Sequence, residues 1–111
     1  MDDTRSVHVP VLLQEVIAYL KPHGHDVIFD GTYGGGSYSR EILTHLDKGG
    51  RILATDQDAD VVVREQARNK KDGITNISVV HANFAHISEV AKEHKIDAFD
   101  GLVLDLGISS D

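Results

Sequence analysis

The 111-residue chain contains no cysteine, which excludes disulfides and thiolate metal centres and fits a reducing, cytoplasmic setting. It has no apolar run long enough to cross a bilayer. The opening MDDTRSVHVP is acidic and lacks the basic start and apolar centre of a secretory leader. Positive charge is scarce too: 11 Lys and Arg face 18 Asp and Glu, a formal net charge of −7. That balance excludes a domain whose whole surface grips nucleic acid, though not an RNA held by another part of a protein. Linkers, low-complexity tracts and internal repeats are also missing. What is present is 41% hydrophobic and 26% charged residues, the balance of a folded domain with one core. Residues 1–111 read as a single unit.

Strand and helix patterns alternate along it. After Pro10, VLLQEVIAYL sets Leu12, Leu13, Val16, Ile17 and Leu20 on one helical face, with Pro22 just past the end. DVIFD (26–30) reads as a buried strand and SYSREILTHL (37–46) as a helix with Ile42, Leu43 and Leu46 inward, ended by DKGG. RILATD (51–56) is a second strand. Asp58 suits the N-cap of a helix over 59–71, and Lys70 and Lys71 suit its C-terminal dipole. NISVVH (76–81), a helix through HISEVAKEHK (86–95) and a strand in FDGLVLDLG (99–107) complete the order β-α-β-α-β-α-β. This order predicts an α/β fold, a mostly parallel sheet with helices on both faces and right-handed crossovers. Ligands of such sheets bind beyond the carboxyl ends of the strands, where the strand order switches. Three strands end there in an acid: Asp30, Asp56 and Asp105. Four strands are few for such a domain, so an incomplete sheet with an exposed edge open to self-association is expected.

The segment DGTYGGGSYSR joins the first strand to its helix. Glycines 31, 34, 35 and 36 let a turn take left-handed conformations and let a ligand approach the backbone. The following helix offers backbone N–H groups to an anionic group. Asp56, 20 residues beyond Gly36, stands where an acid accepts hydrogen bonds from ribose hydroxyls. Taken alone, the same residues also suit a turn that serves only strand–helix packing, and Asp56 also suits a helix cap. Charge separates the nucleoside cofactors. A dinucleotide brings two phosphates that Asp30 repels, and Ser39 occupies the third glycine place of G-x-G-x-x-G. No Gly-Lys-Ser/Thr follows, which excludes a P-loop. S-adenosyl-L-methionine has a sulfonium and an ammonium and no phosphate, which carboxylates at the strand ends suit. Asp30 through Gly36 matches the acid-x-G-x-G-x-G loop of Rossmann-like methyltransferases, with Thr32 in the first glycine place; Asp30, Gly34 and Gly36 are its candidate contacts.

Other constellations fail on spacing. Asp56, Asp58 and Asp60 mimic the opening of a calcium loop, but Val61 and Ala67 stand where it needs glycine and a closing acid. His23 and His25 have no third metal ligand in view. GGSYS lacks the final glycine of a nucleophile elbow.

Three stretches together resemble one family: HVPVLLQEVI from His8, DGTYGGGSYSR from Asp30 and DGLVLDLGISS from Asp100, with ATDQD and HANF between them. They are similar to the MraW/RsmH family, methyltransferases that act on the exocyclic N4 amine of a cytidine in small-subunit ribosomal RNA. The resemblance runs from His8 to Ser110, and DLGISS is its most specific part. It implies a Rossmann-like class I methyltransferase fold, of which this chain holds the first four strands and the cofactor-binding part. It also implies S-adenosyl-L-methionine as cofactor and small-subunit ribosomal RNA as substrate of a longer enzyme. Carried over residue by residue, the family's loop contacts fall on Gly36, Ser37 and Tyr38, and its ribose acid on Asp56. Phe84 takes the place of an aromatic that meets the adenine. Asp105, the acid at the end of the fourth strand, faces the cofactor and, as the catalytic residue, the acceptor, whose amine hydrogen bond its carboxylate accepts. Ser37 departs from the family, which has a second glycine there, and a cofactor-contacting Gln falls past Asp111. The implied reaction is an in-line displacement by the amine on the sulfonium methyl, in which the protein positions the reactants. Tyr33 and Tyr38 are further candidates to stack on the base, with packing as the competing role. Two other readings stay open: a cofactor-binding module without turnover, and a nicotinamide-dependent oxidoreductase half.

Overall fold

The computed structural model describes residues 13–31, 33, 34 and 36–104, with the backbone alone for Phe84. Expectations that rest on Pro10, Leu12, Thr32, Gly35, Asp105 and the end of the fourth strand lie outside the described residues.

Four strands, β1 (Val27–Asp30), β2 (Arg51–Asp56), β3 (Ile77–His81) and β4 (Gly101–Val103), form one parallel sheet in the order β3-β2-β1-β4. Helix α1 (Leu13–Leu20) precedes β1, α2 (Ser37–Leu43) joins β1 to β2, and α3 (Ala59–Lys71) joins β2 to β3. A 3-10 turn (Phe84–His86) and α4 (Ile87–Glu93) lead to β4. The predicted element order is therefore the observed one.

Side chains alternate along each strand, and this sorts the core into two layers. Ile28, Ile52, Ala54, Ile77, Val79 and Val103 share one layer with Ile42 of α2 and Val62 of α3, and Val16, Ile17 and Leu20 of α1 pack against it. Phe29 and Leu53 point the other way, onto Val90 and Ala91 of α4 and Ile96. The Phe29 and Phe99 rings meet there, centroids 5.5 Å apart and tilted by 56°. Helices thus cover both faces, as a buried parallel sheet requires.

Several element ends differ from the predicted ones, each for a local reason. Helix α2 stops at Leu43 rather than Leu46. The N–H groups of Thr44, His45 and Leu46 turn to the carbonyls three residues back, at 3.1, 2.9 and 3.1 Å, and the Thr44 hydroxyl donates to the Glu41 carbonyl at 2.6 Å; such short-range bonds tighten and end a helix. Helix α4 ends at Glu93 because Lys95 takes a left-handed φ of 60°. Ile96 N–H then reaches the Ala91 carbonyl at 2.8 Å and Lys95 N–H that of Lys92 at 3.0 Å, a Schellman closure. Strand β4 begins at Gly101, not Phe99. Asp100 instead clamps the start of β1: its carboxylate accepts the Val27 N–H at 2.7 Å and its own N–H donates to the Val27 carbonyl at 2.7 Å. Asp58 is the N-cap of α3, as expected, accepting from Asp60 and Val61 N–H. No described helix is long and apolar enough to cross a membrane.

Candidate cofactor site

The strand order reverses between β1 and β4, so the crevice of the sheet opens beyond Asp30 and Val103, with Asp56 at the end of the neighbouring strand. The glycine-rich loop lies across these ends. Gly31 N–H donates to the Val103 carbonyl (2.8 Å), Tyr33 N–H to the Thr55 carbonyl (3.3 Å), and Gly36 N–H back to the Tyr33 carbonyl (2.7 Å). The loop is thereby stitched to β4 on one side and β2 on the other.

Asp56 is the hub. Its Oδ2 accepts the Gly34 N–H at 3.0 Å and its Oδ1 the Asp58 N–H at 2.9 Å. Each oxygen keeps a further lone pair, and the residue is half-buried at the strand tip. Asp56 does not cap α3, since Asp58 does so. The Asp56 carbonyl accepts the Ala82 N–H at 3.1 Å, which brings HANF beside this acid. Asn83 Oδ1 accepts the Ala85 N–H at 2.9 Å and so starts the 3-10 turn that opens with Phe84.

Asp30, a candidate contact, lies beneath the loop and not in its open face. It is fully enclosed, and the Ser39 hydroxyl donates to its Oδ2 at 2.5 Å. Direct contact with a ligand requires the loop to move. Ser39, which interrupts the dinucleotide glycine pattern, is thus the small residue by which α2 rests on β1. Ser37 opens α2 and is exposed, while Tyr38 is half-buried against the first core layer.

Two expectations about the loop change. Tyr33 is only 2% exposed and belongs to the core, so it is not placed to stack on a base. Gly36 takes φ 85°, in the left-handed region, and a Cβ there would stand 2.8 Å from the Tyr33 hydroxyl oxygen. The group that approaches this glycine is the chain's own tyrosine. Gly34, also left-handed at φ 50°, turns its N–H toward Asp56.

The donor set fits S-adenosyl-L-methionine. Acceptors face the loop: the Asp56 carboxylate with lone pairs to spare, and Asp30 below. Arg40, the nearest cation in sequence, is engaged by Asp72 and Asn69 instead, so no described side chain of the loop offers positive charge to a pyrophosphate. No group of three His, Asp or Glu among the described residues is disposed to hold a metal ion. Open grooves of about 390 and 400 Å³ lie away from this crevice, beside α4 and between α3 and β3, while a third of about 500 Å³ between α1 and β4 reaches Val103 and Leu104 at the crevice's edge.

Comparison with known proteins was made on sequence and on fold. The family described as MraW methylase matches residues 5–111. The chain is 47% identical over 104 residues to the ribosomal RNA small subunit methyltransferase H of Cytophaga hutchinsonii, covering 93% of this chain and 33% of that protein. It is 42% identical over 109 residues to the same-named protein of Acetivibrio thermocellus, with the same shares covered. The chain therefore spans about a third of the length of the curated relatives it matches. Among solved structures it resembles a protein-L-isoaspartate O-methyltransferase (TM-score 0.74, 11% identity, 86% of this chain and 28% of that one). It also resembles TrmN from Thermus thermophilus (TM-score 0.70, 18% identity, 86% and 27%). These likenesses show a Rossmann-like methyltransferase fold.

Proposed function

Because the chain belongs to the MraW methylase family, we propose that it is the cofactor-holding part of an S-adenosyl-L-methionine-dependent methyltransferase whose acceptor is the N4 amine of a cytidine in small-subunit ribosomal RNA. The observation that carries this reading is the union of the glycine-rich loop with Asp56 across two neighbouring strand ends at the switch point. An acid with free lone pairs and a loop without side-chain cations suit a phosphate-free nucleoside with two ribose hydroxyls. The relatives' names, which specify small-subunit ribosomal RNA, support the substrate, and the DLGISS resemblance supports the cytidine amine.

In this reading Asp56 accepts hydrogen bonds from the ribose. Gly34, Gly36, Ser37 and Tyr38 supply the loop wall, Phe84 meets the adenine, and Asp30 lies beneath the loop. When bound, the cofactor supplies the electrophilic methyl group. Asp105 is the catalytic residue: its carboxylate accepts a hydrogen bond from the acceptor amine and favours localisation of a lone pair otherwise delocalised into the ring. The rest of the protein's share is positioning. Residues 1–111 act as one cofactor-binding unit, and transfer is assigned to a longer protein of the relatives' kind working in the cytoplasm. Among the described residues β4 has a strand neighbour on one side only, and such an edge supports self-association of the 111-residue chain through its sheet.

The test is methyl transfer from labelled S-adenosyl-L-methionine to small-subunit ribosomal RNA by a longer protein containing this segment, read by nucleoside mass spectrometry. N4-methylcytidine that disappears with Asp56→Ala and Asp105→Asn is expected. Label on another nucleoside, or undiminished transfer by Asp105→Asn, would overturn the assignment.

A further inference from the structure

We infer that Asn69 and Arg40, neither of them in the glycine-rich loop, are positioning residues that set this loop for the cofactor by clamping Tyr33; the inference rests on the cofactor reading above. Asn69 lies on the buried stripe of α3 and is 3% exposed. An amide there is costly unless bonded, and both of its ends are used. Its Nδ2 donates to the Tyr33 hydroxyl at 3.2 Å, and its Oδ1 accepts from Arg40 at 2.6 Å. Arg40 also donates to Asp72, just past the end of α3, at 3.0 Å. Burial works against the Arg40 charge, but its bonds to Asp72 and Tyr33 outweigh that and leave its pKa above the ordinary arginine value. The clamp therefore stays charged throughout the working pH range.

One end of this network is the loop itself. The Tyr33 hydroxyl fills the space a Cβ of Gly36 would need. The Tyr33 carbonyl holds the Gly36 N–H, and the Gly36 carbonyl accepts the Arg40 N–H at 2.8 Å. Gly34, next to the clamped tyrosine, directs its N–H to Asp56, the proposed ribose acid. Fixing the hydroxyl thus fixes the turn, and the turn aims the group that orients Asp56. A leucine at position 69 would satisfy α3 packing without any partner. What the polar clamp adds is a single position for Tyr33, a specificity role known for buried polar groups.

The experiment compares the wild-type chain with Asn69→Ala, Tyr33→Phe, the near-isosteric Asn69→Asp, and Val90→Ala as a destabilised control on the opposite face. Two quantities are read: amide hydrogen exchange of Gly34 and Gly36 without ligand, and calorimetric binding of S-adenosyl-L-methionine. Asn69→Ala is expected to speed exchange at both glycines and to raise Kd about tenfold. Asn69→Asp keeps the acceptor for Arg40, and with the Tyr33 hydroxyl now donating to the carboxylate in place of accepting from Nδ2 the clamp is kept, so both readouts are restored. Tyr33→Phe keeps the ring and shifts both in the same direction, which preserves the test if Asn69→Ala does not fold. Val90→Ala lowers Tm and leaves both unchanged. Unchanged glycine exchange and Kd in folded clamp variants, or equal changes in Val90→Ala, would overturn the inference. Faster glycine exchange in Asn69→Ala together with no binding by the wild type would show a fold clamp only, overturning the inference through failure of the cofactor reading.

Discussion

Replacing Gly36 by alanine separates two costs that most glycine substitutions mix. The first is conformational: φ is 85°, and an L-residue held in that left-handed region costs about 1–2 kcal/mol. The second is steric, because the new Cβ would lie 2.8 Å from the Tyr33 hydroxyl oxygen and 3.0 Å from Cζ, and forcing a methyl into a filled core costs about 1–3 kcal/mol. Gly73 supplies the reference. It closes α3 at φ 74°, and a Cβ there meets nothing within 4 Å, so Gly73→Ala bears only the first cost. The excess for Gly36→Ala is then roughly 2 kcal/mol, or roughly 8–16 °C in Tm for a chain of this size. Denaturant unfolding of both variants measures it. In a Tyr33→Phe background the 2.8 Å contact is gone and the ring contact remains, so the excess shrinks without vanishing. Equal destabilisation by the two alanines would refute the claim that Tyr33 occupies the space beside Gly36.

Other consequences follow from single bonds. Asp58→Ala removes the acceptor of Asp60 and Val61 N–H at 2.9 and 3.4 Å and is expected to cost about 1 kcal/mol, read as a lower urea midpoint. Ser39→Ala takes a donor from the enclosed Asp30 carboxylate and is expected to cost about 1–3 kcal/mol; a loss below about 0.5 kcal/mol, typical of surface changes, would contradict that role. The His23 pKa lies above the ordinary 6.5 because its ring faces the Lys21 carbonyl and, next, the Asp26 carboxylate. A raised folded pKa means this contribution to stability is fully present below about pH 6.5 and is lost as pH rises through the folded value. NMR titration of the ring, with Asp26→Asn lowering its pKa part of the way, checks both the sign and the cause.

The order of elements and the parallel sheet were legible because short apolar strands alternate with helical patterns of crossover length. Asp58 was legible as a cap for the same local reason. What stayed hidden depends on partners far away in sequence. Glu65 and Asn69 of α3 are polar yet buried. Glu65 sits between Arg64 and Arg68 at 3.2 and 3.1 Å, and Asn69 is satisfied by Tyr33, 36 residues earlier. No periodicity announces such a pair. Val63, in contrast, is apolar and 66% exposed, because the inward stripe of α3 runs through positions 62, 65 and 69. The glycine cluster was legible as a place of close approach, but composition alone did not reveal that the approaching group at Gly36 is a tyrosine three residues back. Asp56 was singled out by its spacing from the loop, and the structure sets the Gly34 N–H on its carboxylate.

The most direct measurement is a calorimetric titration of the 111-residue chain with S-adenosyl-L-methionine, alongside NAD and the Asp56→Ala variant. Saturable binding of the methyl donor, weakened by Asp56→Ala and absent for NAD, is the predicted result. A folded chain that binds NAD, or that binds the methyl donor equally well without the Asp56 carboxylate, would contradict the assignment of this loop and its acid to the cofactor.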